Sequence, residues 1–399
     1  MTRDVRRLLL LAPAALALAT SAEAQRARAP AAAATVAAAT PRASRTTIRT
    51  TWTAVAAGSA FTCALDQTGQ AYCWGENVNH KLGISADIAV RRPRAIETPQ
   101  RFESLAAGVL DGCGVTRDGA LVCWGGTDEG GTAPRSALAD MRFKQVGLAS
   151  GGCGVALDGS AWCWGLNSVG QLGSGRATPT PSAGAERVAG GRHWKSVAVA
   201  GGYRCALDQD GQAWCWGGIM AGNHNSPNRV AGSHRFQALA VGEHHSCGLS
   251  TDGGALCWGE AHEGALGNTQ NQHEAEPTPV SGGHTFKAIA AGYDFTCAIA
   301  TDGHVWCWGS NDYGSMGNGT SHAVTVPTPV SGTQTFTAIS AGPSHVCGIA
   351  ADGSLWCWGD NGDGELGIAS SQTCRRPAGP GRVEARPCSM VPARVQDPL

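Results

Sequence analysis

Charge is scarce and balanced in this sequence of 399 residues: 15% of residues are charged, and the formal net charge is −1. A protein that binds nucleic acid through phosphates needs a basic surface field, so this balance argues against a nucleic-acid partner. Hydrophobic residues reach 42%, which is enough for a core and excludes wholesale disorder. The chain is instead rich in glycine (56) and tryptophan (13). This composition is typical of many short strands joined by tight turns.

Long hydrophobic runs are also lacking. The longest, residues 8–19, follows three arginines and precedes Ala22-Glu23-Ala24. It is too short to cross a bilayer, which needs about 20 apolar residues. The pattern predicts a secretory signal peptide over residues 1–24, cleaved near Ala24, and therefore a secreted or periplasmic protein with no membrane span. We expect residues 25–45, rich in Ala, Pro and Arg, to be a disordered leader.

From Trp52 onward the sequence repeats itself seven times. Each unit contains two cysteines ten positions apart, and the second cysteine opens the tripeptide CWG. An aromatic residue precedes the first cysteine, usually by eleven positions, and successive units start 40 to 52 residues apart. The pairs are Cys63 with Cys73, Cys113 with Cys123, Cys153 with Cys163, Cys205 with Cys215, Cys247 with Cys257, Cys297 with Cys307, and Cys347 with Cys357. Such a period indicates a repeat architecture.

Each unit has the pattern of four short strands. An apolar run ended by glycine precedes the first cysteine, and a turn such as Asp302-Gly303 lies between the two cysteines. A three-residue loop with glycine last suits a type I turn followed by a bulge. A short Pro-Val segment follows. The sequence therefore predicts an all-β fold, a seven-bladed β-propeller with four short antiparallel strands per blade, as a single domain over residues 46–399.

The turn fixes the register of each hairpin and thereby predicts disulfides. Counting outward from it places the two cysteines of a unit opposite each other, with Cα atoms about 4.5 Å apart, as a disulfide allows. The remaining two, Cys374 and Cys388, would close an insertion at about 368–390. One position further, a small residue such as Ala298 faces a large one such as Trp306, which favours packing between blades over stacking on a sugar.

Two segments carry a family resemblance: AGYDFTCAIATDGHVWCWGSNDYGSMG (291–317) and AGPSHVCGIAADGSLWCWGDNGDGELG (341–367). They resemble the repeat of the regulator of chromosome condensation family, and the export signal suggests a secreted bacterial-type member. The resemblance covers residues 52 to about 395 and implies a seven-bladed propeller. His245 and His345 occupy the family's histidine position, where a structural role is expected. Units two and four lack the tail W-G-x-N-x-x-G-x-L-G, so one rim should be uneven.

Three function classes follow from the resemblance and the residues. The family's nuclear namesake is a nucleotide exchange factor for a small GTPase, but no exchange residues can be matched, and export disfavours this activity. Other secreted bacterial propellers of this repeat type bind proteins, including an inhibitor of β-lactamases. An exported, disulfide-stapled module that binds a protein or an anionic envelope polymer is therefore our leading interpretation, as a monomer. The alternative is an enzyme of hydrolase or lyase type on a propeller scaffold.

We predict no catalytic residue, metal ligand or cofactor. The sequence contains no G-x-S-x-G, H-E-x-x-H or Walker-type loop. The cysteines lack the C-x2-C spacing of zinc ligands. In the adjacent pair His244-His245, the repeat explains His245, and His244 alone is no metal site. Loop 360–363 resembles part of a calcium loop but lacks the full ligand series.

The candidate partner-binding residues are seven arginines. They lie in two segments at the same place in the repeat, after units one and seven, which become neighbours when the ring closes. Arginine forks suit carboxylates and phosphates, so the partner would be an acidic protein surface or an anionic envelope polymer. The alternative is a solvated loop with no ligand. The residues are Arg91, Arg92, Arg94, Arg375, Arg376, Arg382 and Arg386, with Asp87 and Glu384 as the nearby acids.

The C-terminal segment carries the last expectation. Residues 391–395 resemble the Pro-Val segment that precedes each aromatic residue. We expect residues 392–395 to pair with the strand that begins at Trp52 and so to close the ring.

Overall fold

A computed structural model describes residues 49–86, 89–126, 134–219, 222–270, 272–369, 372–377 and 383–399. The predicted signal peptide and leader lie outside these residues. Regular structure within them is nearly all β-strand, with two short 3-10 turns at Val78–His80 and His262–Gly264. None of the helical turns there is long and apolar enough to span a membrane.

The strands form seven sheets, one for each sequence unit. The first three blades are β1 (Trp52–Ala57), β2 (Phe61–Asp66), β3 (Ala71–Gly75), β4 (Val90–Ala95); β5 (Phe102–Ala107), β6 (Asp111–Thr116), β7 (Leu121–Gly125), β8 (Arg135–Ala137); and β9 (Phe143–Ala149), β10 (Gly151–Ala156), β11 (Ala161–Gly165), β12 (Glu186–Arg187). Each sheet is antiparallel, and its strands are ordered as in the chain.

The other four blades repeat this order. They are β13 (Trp194–Val199), β14 (Tyr203–Asp208), β15 (Ala213–Ile219), β16 (Gly222–Arg229); β17 (Phe236–Val241), β18 (His245–Ser250), β19 (Ala255–Gly259), β20 (Glu274–Pro279); β21 (Phe286–Ala291), β22 (Phe295–Ala300), β23 (Val305–Gly309), β24 (Val324–Pro329); and β25 (Phe336–Ala341), β26 (His345–Ala350), β27 (Leu355–Asp360), β28 (Gln372–Pro377), β29 (Val383–Arg394). In the last sheet the order is β25-β26-β27-β29-β28. The predicted seven-bladed all-β propeller is confirmed.

The hairpin register places the paired cysteines directly opposite each other. Cys297, for example, faces Cys307, and Ala298 faces Trp306. The same register holds in the two blades with the shortest outer strands, where Cys113 faces Cys123 and Cys153 faces Cys163.

Each facing pair is bonded as a disulfide, with Cα–Cα distances of 4.0 to 4.1 Å in the seven units. The bonds join Cys63 to Cys73, Cys113 to Cys123, Cys153 to Cys163, Cys205 to Cys215, Cys247 to Cys257, Cys297 to Cys307, and Cys347 to Cys357. The eighth disulfide joins Cys374 to Cys388, has a Cα–Cα distance of 5.7 Å and crosses the β28–β29 hairpin. All sixteen cysteines are therefore in disulfides.

Neighbouring blades are joined by one recurring backbone hydrogen bond. The N–H of the aromatic residue that begins each blade donates to the carbonyl of the turn glycine in the preceding blade. Phe286 donates to Gly253 at 2.8 Å, and Trp52 donates to Gly353 at 2.9 Å. The first strands of the seven blades contact one another in sequence, including β1 with β25, so they surround the ring axis.

The expected pairing of residues 392–395 with the strand that begins at Trp52 is wrong. Ala393 pairs with Cys357, which makes β29 the outer strand next to β27 of blade seven. Strand β1 is an edge strand that pairs with β2. Each blade takes its outer strand from its own unit. In blade seven, the insertion at about 368–390 separates this outer strand from β27 in the sequence. Blades seven and one are therefore joined by the same contacts as all the other neighbouring blades, and these contacts close the ring.

The tail W-G-x-N-x-x-G-x-L-G holds adjacent blades together. In unit six, Asn311 Oδ1 accepts a hydrogen bond from the backbone N–H of Met316, which shapes the loop. The carbonyl of Ser315 then accepts the indole N–H of Trp358 in the next blade at 2.9 Å. A Cβ on Gly317 would lie 2.8 Å from that indole nitrogen, so the position requires glycine. The equivalent bonds join Trp74 to Glu365, Trp216 to Gln171 and Trp308 to Ala265.

His245 and His345 connect blades inside the core. Nε2 of His345 lies 2.8 Å from Thr62 Oγ1 in blade one, and Nε2 of His245 lies 2.8 Å from Thr296 Oγ1 in blade six. Burial lowers the pKa of both imidazoles to about 4. Both contacts support the structural role that the resemblance implied.

Candidate functional site

The shortened unit four opens a cleft between blades four and five. Where other units have the tail loop, the chain forms a hairpin in which Gly218 of β15 pairs with Asn223 of β16. Unit four thus supplies no tail loop over Trp258 of blade five. The cleft has a volume of about 560 Å³. It is lined by Tyr203, Cys215, Gly218, His224, Asn228, Arg229, Val230, Ala231, Glu243, His244, His245, Ser246, Trp258, Gly259, Glu260, Glu274 and Ala275.

The floor of the cleft is aromatic and buried. Tyr203 occupies the family's histidine position in unit four, and its hydroxyl accepts a hydrogen bond from Ser246 Oγ at 3.1 Å. Tyr203 also hydrogen bonds with Trp258, and burial raises the pKa of its phenol. The two rings therefore form a fixed apolar surface below a rim of charged side chains.

A buried guanidinium lies behind this floor. Arg204 Nη1 donates to the carbonyls of Ala200, Gly201 and Tyr203. Burial lowers the pKa of Arg204 to about 10, and the nearby Glu243 carboxylate opposes that shift. Since an isolated buried charge is costly, Glu243 at the rim partly compensates the cation and is held close to the cleft.

Two histidines and two carboxylates meet at the mouth of the cleft. His244 Nδ1 lies 3.1 Å from Asp294 Oδ1, and His262 Nδ1 lies 3.7 Å from the same oxygen. His262 Nε2 lies 3.0 Å from Glu260 Oε2. The ligand atoms of His244, Glu260 and His262 all lie within 4.8 Å of one another. Sequence reasoning missed this cluster because its members come from three loops in two blades.

We use the name loop face for the propeller side formed by two sets of loops: those between the first and second strands and those after the third strands. Tyr293 and Val109 lie in the first set, and Val78 and Leu166 in the second. Their exposed fractions are 37% to 54%. Three other exposed apolar side chains lie outside these loops: Leu157 at a hairpin turn on the opposite side, Val383 on β29 and Leu399 in the C-terminal tail. Four of the seven exposed large apolar side chains in the described residues are therefore on the loop face.

The predicted arginines are only partly free to meet a partner. Arg91 and Arg94 are exposed on β4, whereas Arg92 Nη2 donates to the carbonyl of Asp397 at 3.0 Å. Arg386 Nη2 lies 3.0 Å from Asp363 Oδ2, and Arg386 Nε lies 3.5 Å from Asp360 Oδ1. Loop 360–363 thus neutralises one of the arginines.

The side chains of the other three arginines are not among the described residues. Arg375 and Arg376 lie on β28, paired with Ala385 and Glu384, but their side chains are outside the described residues. Arg382 and the expected acid Asp87 are also outside them. The patch as a whole stays a prediction.

Loop 360–365 also contains a buried carboxyl. Glu365 is fully buried, and its carbonyl accepts hydrogen bonds from Thr62 Oγ1 and Trp74 Nε1 of blade one. Burial, and secondarily the Asp360 carboxylate, raise the pKa of the Glu365 side chain to about 7. This acid lies at the closure between blades seven and one.

Two models of the regulator of chromosome condensation (RCC1) repeat match the chain. One matches residues 52–80, 236–265, 286–315 and 336–365, and the other matches 252–299 and 302–349. The chain therefore contains repeats of the RCC1 type. Its units one, five, six and seven, which keep the tail loop, provide the four matches of the first model.

Known proteins similar to this RCC1-repeat chain differ widely in length. The E3 ubiquitin-protein ligases HERC2 of Homo sapiens and Mus musculus are each 40% identical over 78 residues. That segment is 19% of this chain and spans 2% of the length of these relatives.

Solved structures share the fold across most of the propeller. Human WBSCR16 superposes with a TM-score of 0.70 at 19% identity, over 75% of this chain and 87% of its own. Yeast RCC1 (Prp20), in a complex with Kap60, has a TM-score of 0.68 at 18% identity, over 82% and 84%. The CRINKLY WD40 ectodomain of the Arabidopsis thaliana receptor kinase ACR4 has a TM-score of 0.53 at 19% identity, over 78% and 96%. These likenesses concern the fold alone.

Proposed function

We propose that this RCC1-repeat protein is an exported, disulfide-stabilised binding module that holds a partner protein on its loop face. Disulfides form and persist mainly in oxidising compartments, which supports export of a protein with eight of them, and the first 24 residues have the pattern of a secretory signal. The repeat architecture supplies a rigid ring, and variable loops on one side of it supply the contacts.

The observation that carries the proposal is that four of the seven exposed large apolar side chains in the described residues lie on the loop face. Val78, Val109, Leu166 and Tyr293 all lie on the loop face. Exposed apolar groups collected on one surface indicate an interaction site, and tyrosine is enriched in protein interfaces. The cleft between blades four and five is bordered by His244 and Glu260 of the same loops, so it adds a concave element to this surface.

Structural neighbours support the protein-binding class. Yeast RCC1 (Prp20) has been solved bound to Kap60, and Prp20p binds Gsp1p and histones. We carry over only the class of interaction, since the partner of an exported protein differs from these. Nucleotide exchange and catalysis are not part of the proposal.

The test uses the mature chain as bait in culture fluid or periplasm, with cross-linking and mass spectrometry to identify the partner. We expect the variant V78S/V109S/L166S/Y293S to lose the partner, because its apolar contacts are removed. The matched control is L157S, an equally exposed apolar side chain on the opposite side. Equal capture by the loop-face variant and the control would contradict the proposal, provided that both variants melt as the parent does.

The exposed arginines are a second proposed contact, suited to an acidic protein or an anionic envelope polymer. The favouring observation is that Arg91 and Arg94 are both exposed on β4. Replacing Arg91, Arg94, Arg375 and Arg376 with serine should abolish capture at low salt. The matched control is R117S, since Arg117 is an exposed arginine at a hairpin turn on the opposite side. If the variant captures the partner as well as the parent does, these arginines are solvent-exposed residues without a role in binding.

A further inference from the structure

We propose that His244, Glu260 and His262 form a binding site for one divalent transition-metal ion of the Zn²⁺ type. Imidazole nitrogen and carboxylate oxygen are preferred zinc ligands. Their ligand atoms lie within 4.8 Å of one another at the mouth of the cleft. The inference is independent of the proposed partner-binding function.

The spacing is close to what a bound ion requires. Zinc binds nitrogen and oxygen at about 2.0–2.2 Å, which places ligands of a tetrahedral ion about 3.3 Å apart. His262 Nε2 and Glu260 Oε2 are already 3.0 Å apart. Small side-chain rotations of half-exposed groups would bring in the third ligand, His244.

Asp294 orients the His244 imidazole for this role. Its Oδ1 lies 3.1 Å from His244 Nδ1, within hydrogen-bond distance, whereas His262 Nδ1 is 3.7 Å from the same oxygen and beyond that distance. An imidazole that donates its Nδ1–H to a carboxylate presents the lone pair of Nε2 as a ligand. A carboxylate hydrogen-bonded to a ligand histidine is a common support of a metal centre.

The backbone holds the ligands in place before any ion binds. The N–H of Glu260 donates to the carbonyl of His244 at 2.8 Å, which ties the two ligand loops together. The disulfide Cys247–Cys257 joins the strands that follow and precede these loops. His262 begins a 3-10 turn, and the N–H of Ala265 donates to its carbonyl at 2.9 Å.

The repeat itself does not demand these side chains. Unit one has Ala60, Glu76 and Val78 at the three equivalent positions. Unit six has Asp294, Ser310 and Asp312. Unit five alone among the seven combines two histidines with a carboxylate there. The set is therefore an addition to the propeller pattern.

Three protein ligands leave one position of a tetrahedral ion open. His244 and Glu260 also line the cleft, so the open position faces its interior. A water molecule or a carboxylate would complete the coordination there. This arrangement differs from a closed structural zinc site with four protein ligands.

The test is calorimetric titration of ZnCl₂ into the tag-free mature protein after metal removal. We expect one ion per chain, with at least about 100-fold weaker binding in H244Q, H262Q and E260Q, which each lose a ligand, and about 10-fold weaker binding in D294N. The matched control is H304Q, because His304 lies 3.3 Å from Asp302 in an exposed pair without a second histidine. Its affinity should match that of the parent.

A spectroscopic arm separates ligation from a structural effect of the substitutions. Co²⁺ in the parent protein should give the visible absorption of a four-coordinate site, and E260Q should lose it while its circular dichroism is unchanged. The proposal is overturned if the parent binds no ion stoichiometrically. It is equally overturned if H244Q, H262Q and E260Q bind Zn²⁺ as the parent does, in which case the cluster is a hydrogen-bonded network.

Discussion

The backbone N–H of Trp52 donates a 2.9 Å hydrogen bond to the carbonyl of Gly353, which joins blade one to blade seven. The same bond, at 2.7 to 2.9 Å, occurs at each of the other six junctions. Blades one and seven are therefore joined in the same way as the other neighbouring blades, and neither blade contains a strand from the other end of the chain. Closure then depends on the completeness of blade seven, whose outer strand comes from the C-terminal segment.

Removal of residues 391–399 should strongly destabilise the propeller. The deletion takes Ala393 and Arg394 from their pairing with β27 and removes buried Val395, whose N–H donates to the Leu355 carbonyl. Burial of one valine and two or three hydrogen bonds amount to about 3 kcal/mol or more of unfolding free energy. Denaturant unfolding measures it. Deletion of residues 397–399 alone is the control, and it should lower the free energy of unfolding by less than about 1 kcal/mol. Equal stability of the two deletion variants would contradict this role of β29.

The closure also shows what a repeated sequence can and cannot specify. The paired cysteines, the Asp-Gly turns and the CWG tripeptides predicted the number of blades, the hairpin register and the strand count. They could not say whether a Pro-Val strand belongs to the unit before it or after it, because a periodic pattern has no natural starting point. Only the sheet pairing of Ala393 with Cys357 decides this.

The candidate site was predictable only in outline. The lack of the tail in unit four predicted an uneven rim. It did not predict that a cleft would form beside Trp258 where the tail loop is missing. His244 and Asp294 are 50 positions apart, and they meet because equivalent loops of neighbouring blades lie side by side. Arg386 meets Asp360 and Asp363 because the β28–β29 hairpin extends beside loop 360–363. Such contacts depend on the geometry of the ring, which the linear spacing does not contain.

The disulfides within the blades should each act locally. The double variant C297A/C307A opens one hairpin and should lose about 2–3 kcal/mol of unfolding free energy in the chain-entropy description. Peptide mapping without reduction should meanwhile find Cys63 linked to Cys73, and likewise in every unit. Cysteines linked between different blades, or an unchanged stability of the double variant, would contradict this assignment.

The indole hydrogen bonds between blades can be measured by comparing two tryptophans. Trp358 donates to the Ser315 carbonyl, whereas the buried Nε1 of Trp124 has no hydrogen-bond partner among the described residues. W358F should therefore cost about 1–2 kcal/mol more than W124F, since it also leaves a buried carbonyl unpaired. Both variants remove a similar volume, so the difference isolates the hydrogen bond. Equal losses in denaturant unfolding would show that the tail loop contributes packing alone.

The buried carboxyl of Glu365 should make stability fall as the pH rises. Its pKa is about 7 in the folded protein and near 4.5 in the unfolded chain, so between these values the folded state keeps a proton that the unfolded state has lost. The contribution is fully present below pH 4.5 and is lost as the pH passes 7, about 3 kcal/mol in all.

E365Q removes this titration but keeps an oxygen for the backbone N–H of Asp363, which now donates to Glu365 Oε2 at 2.9 Å. The stability of E365Q relative to the parent should therefore increase from pH 4.5 to pH 8, because only the parent carries an acid that ionises more readily when unfolded. Other groups, such as His345 with its lowered pKa, titrate in both proteins and cancel in the difference. Urea unfolding at several pH values measures it, with E103Q as the exposed control. A difference that does not change with pH would mean that Glu365 is already ionised in the folded ring.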